Sequence, residues 1–145
     1  MARSRVALLV LLAVMLVVPL ALDRYLLSVM ILVLYFAFVD RLSNGDPDND
    51  GATGATGADW DGGDWAGLQS LLPYLDDLGV TVLWISNPQQ SADGAWGGDC
   101  SLTYGGYHMY WPADPLACEP RFGDEDALAA LVDAAHDRGM RVIMD

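Results

Sequence analysis

Positive charge is scarce in this chain of 145 residues: seven basic side chains stand against twenty acidic ones, for a formal net charge of −13. Nucleic-acid binding needs a basic footprint, which this composition lacks. The acidic excess bears on solubility and association, not on fold. Cysteine is nearly absent. Cys100 and Cys118 are the only two, so a single disulfide is possible, and only in an oxidising compartment. That bridge would close the segment between them and restrict the unfolded chain; the alternative is two unpaired, partly buried thiols. Charge of either sign is missing from the first part of the chain. Residues 1–39 carry only Arg3, Arg5, Asp23 and Arg24.

That depleted segment reads as a targeting element. Arg3 and Arg5 form a short basic region, and Val6 to Leu22 is an unbroken apolar run, the pattern of an export signal. The run is somewhat long for a signal core and somewhat short for a spanning helix. Ala21 can sit at a cleavage site, but Pro19 then takes a place normally held by a small residue, so an uncleaved anchor through residues 6–22 is the alternative. A second apolar run, Tyr25 to Val39, permits a further reading, two membrane spans with an acidic outer segment. The division expected from this is residues 1–30 as signal peptide or membrane anchor and 31–145 as one modest domain.

Beyond the leader, periodicity predicts an α/β order. Leu34-Tyr35-Phe36-Ala37-Phe38-Val39 reads as a strand buried on both faces. Residues 43–64 are rich in Gly, Asp, Asn, Thr and Ala, and their tandem Gly51-Ala52-Thr53-Gly54-Ala55-Thr56-Gly57-Ala58 reads as low-complexity loop. Leu68, Leu71, Leu72, Leu75 and Leu78 mark one helical face, which Pro73 should kink or break near Leu72 and Gly79 should end. Val80 to Ile85 is a second buried strand. Residues 86–123 are long and irregular, but rich in aromatics, which disfavours disorder. Asp124 caps a second helix with apolar face Leu128, Leu131, Val132 and Ala135, ended by Gly139, and Arg141 opens a third strand. Buried strands alternating with helices indicate parallel pairing. Three strands and two helices cannot cover both faces of a parallel sheet, so a fragment, or a domain needing a partner, is expected.

Two segments carry chemistry. Gly106-Tyr107-His108-Met109-Tyr110-Trp111-Pro112-Ala113-Asp114 packs aromatic faces beside hydrogen-bonding groups, which suits a sugar ring with one apolar face and a rim of hydroxyls; such loops also pack as mini-cores. The acidic and amide residues between positions 43 and 64 make the second segment. Asp46, Asp48, Asp50 and Gly51 match the opening of an EF-hand-type loop, but the closing acidic position is Gly57, so that version fails. A solvated acidic turn is the plain alternative.

From about Leu34 to Asp145 the chain resembles the α-amylase family, glycoside hydrolase family 13, and within it the cyclodextrin glucanotransferase and maltogenic amylase branch. The resemblance rests on five blocks in order: Val39-Asp40-Arg41-Leu42-Ser43-Asn44-Gly45-Asp46; Gly62-Gly63-Asp64-Trp65-Ala66-Gly67-Leu68; Leu78 to Ser86; Tyr107 to Asp114; and Ala134 to Asp145. It implies a (β/α)₈ barrel, of which this chain supplies the first three strands and two helices after an N-terminal hydrophobic segment. It implies that His108 and Tyr110 hold the sugar beside the cut bond, Tyr110 by stacking and His108 by hydrogen bonding. Trp111 falls in the same substrate-binding group, although packing of the loop is its simpler role, as for Tyr107. Met109 departs from the glycine usual there. The resemblance also implies a calcium site at Asn44, Asp46, Asn49, Asp50, Gly62 and Asp64, bracing the loop after the first strand.

Family members cleave α-1,4-glucosidic bonds with retention, which needs two carboxylates about 5 Å apart. The family places them on later strands, beyond Asp145. Asp145 matches the aspartate opening the first conserved motif and is read as a local hydrogen-bonding group. Glu119 and Glu125 are explained by solvation and helix-dipole support, and His136 as a surface histidine. The expectation is thus the N-terminal part of an exported, secreted α-amylase-type glycosidase acting on starch and maltooligosaccharides with calcium as cofactor, inactive alone because it lacks catalytic residues. The rivals are a non-catalytic glucan-binding fragment, a membrane protein with two N-terminal spans, and a chimeric reading frame.

Overall fold

The structure, a computed structural model, describes residues 34–54, 56–97 and 103–145. They belong to a unit spanning Val33–Asp145. Residues 1–33, which hold the predicted signal or anchor, lie outside the described residues, and so does Cys100. No helix among the described residues is long and apolar enough to cross a membrane. The second half of the Tyr25–Val39 run is strand and 3₁₀ turn, not helix.

Three parallel strands form the central sheet: β1 (Leu34–Ala37), β2 (Val82–Ile85) and a seventh strand at the end of the chain, β7 (Arg141–Met144), in the order β1-β2-β7. Helix α1 (Trp65–Asp77) links the first two, and α2 (Glu125–Asp137) precedes the last. The α/β order read from periodicity is therefore present. In register, Phe36 pairs with Trp84 and Trp84 with Ile143, while Tyr35, Leu83 and Val142 form the adjacent row. Side chains alternate across a strand, so these rows point to opposite faces. One face carries the core, where Ala37, Leu83 and Ile85 meet Leu68, Leu72 and Leu75 of α1 and Leu131 and Ala135 of α2.

The other face is open. Phe36 and Ile143 are 42% and 49% exposed, and the Phe36 ring lies 4.8 Å from that of Trp84. The expectation that the first strand is buried on both faces is thus corrected: helices cover one side only, so Leu34 and Phe36 stay exposed.

Both helices begin and end with sequence-encoded signals. The Asp64 side chain accepts from the Gly67 amide, and that of Asp124 from the Ala127 amide, satisfying donors that the first turn leaves free. At the C-termini, Gly79 and Gly139 adopt left-handed φ values of 80° and 75°. This lets Val80 bond back to Leu75 and Met140 to Ala135, each at 3.0 Å, the six-to-one closure of a Schellman motif. Of the kink or break expected at Pro73, the break is absent: the helix runs through it from Trp65 to Asp77. Proline removes only its own bond to Gln69, and burial of Leu72 and Leu75 on either side holds the helix together.

The segment expected to be irregular contains short strands. β3 (Gln89–Ser91) pairs antiparallel with β6 (Pro112–Cys118), and β4 (Ala95–Gly97) pairs with β5 (Thr103–Gly105). Three-residue strands give no readable alternation, and the β3–β6 register is shifted by bulges.

Candidate functional site

The aromatic loop is fixed from below before its side chains are presented. The Ser91 hydroxyl donates to the Gly106 carbonyl at 2.9 Å, and the Ala92 amide donates to the Trp111 carbonyl at 2.9 Å. A Cβ on Gly106 would fall 2.3 Å from the Ser91 oxygen, so only glycine permits this approach. A 3₁₀ turn, Gly106–His108, follows, and Met109 closes it with φ 67°. That left-handed conformation costs a non-glycine residue about 1–2 kcal/mol. The Met109 side chain is 1% exposed, and burying it contributes about 2 kcal/mol, which offsets the strain. Burial thus lets a methionine hold this left-handed turn.

The structure brings the three predicted sugar-contact residues together. The His108 and Tyr110 rings lie 22° from parallel with centroids 5.7 Å apart, and Trp111 meets His108 edge-on at 4.4 Å. Tyr110 is 62% exposed, leaving its face open to a ligand. The Tyr110 amide donates to His108 Nδ1 at 3.0 Å. In the neutral imidazole that leaves Nε2 carrying the proton, so His108 presents a donor. Burial lowers the His108 pKa and favours this neutral form.

Asp145 immediately follows β7, and its amide donates to the Ile85 carbonyl at the end of β2. Its carboxylate accepts the Tyr110 hydroxyl at 2.6 Å. The loop is therefore tied to the C-terminal ends of the parallel strands, the edge where α/β proteins bind ligands. The Tyr110 hydroxyl is held protonated by this hydrogen bond, by burial and by the Asp145 charge, all raising its pKa. The local role read for Asp145 is this bond.

The predicted calcium ligands converge only in part. The Asn44 side-chain amide lies 2.8 Å from both Asp50 oxygens, and a Cβ on Gly62 would come within 2.7 Å of Asp50 Oδ1. These three share one cradle. Asn49 Oδ1 is buried with no hydrogen-bond partner, an orphaned hard oxygen of the kind a cation satisfies. Asp46 and Asn49 line one cavity of about 290 Å³. Asp64 is otherwise engaged: fully buried, it accepts from the amides of Gly45, Asp46 and Gly67. Among the described residues, no three His, Cys, Asp or Glu side chains form a metal-holding group. Any cation here would depend on amide and carbonyl oxygens beside Asp50 and Asp46. The predicted Cys100–Cys118 bridge falls partly outside the described residues; Cys118 ends β6, half-buried, its pKa raised by burial and then by Glu125 and Asp124.

Several structural residues escaped the sequence reading. Glu119 is not solvated but fully buried, accepting the Ser91 amide at 2.8 Å and Arg121 Nη1 at 3.0 Å. Arg121 stacks over Trp60, 4.6 Å from its centroid, and Trp60 is itself core. Asp40, also buried, accepts the Asp61 and Gly62 amides; burial raises its pKa against those bonds and Arg41. The buried glutamate has no local signal, since its partners lie up to 28 residues away. Glu125 and His136 are exposed, as read.

Comparison with known proteins follows the same region. The profile of the α-amylase catalytic domain matches residues 36–145. A periplasmic α-amylase of Escherichia coli is 40% identical over 119 residues, covering 77% of this chain and 18% of the relative. A cyclomaltodextrin glucanotransferase of Bacillus licheniformis is 37% identical over 130 residues, covering 78% of this chain and 17% of the relative. Among solved structures, the γ-cyclodextrin glucanotransferase of alkalophilic Bacillus clarkii aligns with TM-score 0.70 at 34% identity, covering 78% of this chain and 18% of that one. The α-amylase of Geobacillus thermoleovorans, complexed with acarbose, aligns with TM-score 0.61 at 33% identity, over 78% of this chain and 22% of that one. The chain thus spans less than a fifth of the length of these two curated relatives.

Proposed function

Since the chain belongs to the α-amylase family and matches the N-terminal part of its catalytic domain, we propose that it supplies the opening three strands of a (β/α)₈ barrel acting on α-glucans. Its share of the work is to hold the sugar. The observation that carries this is the exposed Tyr110 ring, braced by Asp145 and set beside an imidazole whose Nδ1 accepts the Tyr110 amide, which puts the neutral ring's proton on Nε2. A glucose ring stacks its apolar face on the phenol while the imidazole donates to a hydroxyl. The open row of Phe36, Trp84 and Ile143 faces where the rest of the barrel would pack.

Bond cleavage is not this segment's part. Retaining hydrolysis needs two carboxylates about 5 Å apart, one acid and one nucleophile. Two carboxylates at the loop are already committed, Asp145 to Tyr110 and Asp114 to the Leu116 amide. Calcium, bound through Asn44, Asn49, Asp50 and the Gly62 carbonyl with Asp46 and Asp64 alongside, would brace the loop after β1. The buried, unpartnered Asn49 Oδ1 supports that reading. Export is the location that the leader and the periplasmic relative favour.

Electrophoresis through starch-containing gels tests the binding role. The chain should be retarded, and Tyr110→Ala should migrate freely. Equal migration of both proteins in the presence and absence of starch would refute it, and reducing-sugar release by the purified chain would refute the absence of catalysis.

A further inference from the structure

Arg41 stands between the acidic loop and the sugar-facing loop and touches both. It lies in the 3₁₀ turn Val39–Arg41 directly after β1. Nη1 pairs with Asp61 at 2.7 Å and Nε with Asp40 at 3.4 Å. Nη2 donates to the carbonyls of Asp59 and Gly57, at 2.8 and 3.0 Å. Burial disfavours its charge, but Asp61 and Asp40 outweigh this and raise its pKa. Nε, Nη1 and Nη2 all engage the 57–61 segment or Asp40, and Tyr107 adds a further interaction that supports the charge. The flat face of the guanidinium lies 4.0 Å from the Tyr107 ring centroid. Tyr107 in turn meets Phe38 edge-on at 5.9 Å and His108 edge-on at 5.5 Å.

We propose that Arg41 is a positioning residue that makes the geometry of the His108–Tyr110 loop depend on the order of the 57–61 segment. This rests on the sugar-binding reading above only for its functional readout. A guanidinium suits the task because its in-plane fork and its stacking face act in perpendicular directions. Edge bonds to the Gly57 and Asp59 carbonyls and to Asp61 fix the plane, and the plane fixes where Tyr107 rests. Tyr107 then sets the imidazole beside it. Lysine offers a point charge without a stacking face, so it can keep the Asp61 pair while losing the hold on Tyr107. Adjacency alone does not establish coupling; loosening one end must be felt at the other.

The test uses the whole chain with Arg41→Lys, Tyr107→Leu and the double variant, read by site-resolved amide exchange, His108 ring-proton shifts and maltoheptaose affinity. Arg41→Lys should speed exchange at residues 106–111 and move the His108 signals, leaving α2 exchange unchanged. Affinity should fall about three- to thirtyfold, the range of a coupling mutation. In the double variant these effects should not add, because both changes break one contact. Tyr107→Leu gives the same readout should lysine prove too disruptive. Unchanged His108 signals and loop exchange in Arg41→Lys, or strictly additive effects, overturn the proposal, as does uniformly faster exchange that includes α2. If the unmodified chain binds no maltoheptaose while the exchange and His108 effects appear, the sugar reading fails and the positioning role of Arg41 stands.

Discussion

The Tyr110 hydroxyl donates to the Asp145 carboxylate across 2.6 Å, joining the tip of the aromatic loop to the residue that follows β7. The two are 35 positions apart in sequence, and neither is held by the other through the intervening chain. One hydrogen bond thus sets the orientation of the ring on which a sugar would stack.

Asp145→Asn should weaken that bond by removing the charge of the acceptor. Asp145 raises the Tyr110 pKa through the hydrogen bond and its charge, so the variant's phenol should ionise at lower pH. The sign is fixed by linkage: a raised folded pKa contributes stability present below the unfolded value of about 10 and lost as pH rises through the folded value. Absorbance titration near the tyrosinate band should show Tyr110 ionising above its ordinary range in the unmodified chain and earlier in Asp145→Asn.

His108 sets an acid limit. Burial depresses its pKa, so the stability it contributes is complete above the ordinary value of about 6.5 and is lost as pH falls through the folded value. Protonation at Nδ1 also removes the acceptor for the Tyr110 amide. Maltooligosaccharide affinity should fall on the acid side of that range, and His108→Gln should abolish the fall while lowering affinity throughout. The check is affinity against pH for both proteins.

Asp64 should be the most costly single substitution in the acidic loop. Its carboxylate caps α1 and accepts the Gly45 and Asp46 amides from full burial. Asp64→Ala loses the cap and strands buried donors, a loss of about 3 kcal/mol. Asp64→Asn should lose roughly half of that, because one accepting oxygen survives. Urea denaturation with unchanged slope measures both.

Calcium should reverse the effect of one substitution. Asn49 Oδ1 is buried without a partner, so Asn49→Leu should be neutral or stabilising in chelator, where an unpaired acceptor is removed. With calcium at a hundred times its Kd, the unmodified chain should gain about 2.7 kcal/mol, and the leucine variant should not. Gly62→Ala should also lose the response, since φ is 94° there and its Cβ would crowd Asp50 Oδ1. Melting temperatures with and without calcium decide it.

Much of this architecture was legible where the signal is local. Gly79 and Gly139 end helices through backbone freedom, Asp124 caps one, and the leucines of α1 repeat with the helical period. Pro73 signalled a kink or a break, and no break follows because burial of Leu72 and Leu75, which is not local, holds the helix across it. Leu34 and Phe36 misled in a different way: a run of apolar residues says that a strand can be buried, not that the layer burying it lies within residues 34–145. In the site, the Tyr107–Trp111 segment stood out by composition. Arg41, Trp60, Glu119 and Asp40 did not, because each is defined by partners far away in sequence.

The central claim is that the exposed face of Tyr110 receives a glucose ring. The direct measurement is the proton spectrum of maltotriose with the chain, with intermolecular contacts recorded to the tyrosine ring. Upfield shifts of one glucose unit's axial protons and cross-peaks to Tyr110 are expected, both lost in Tyr110→Ala with the fold intact. Sugar resonances unmoved by the unmodified chain, or moved equally by the alanine variant, would contradict it.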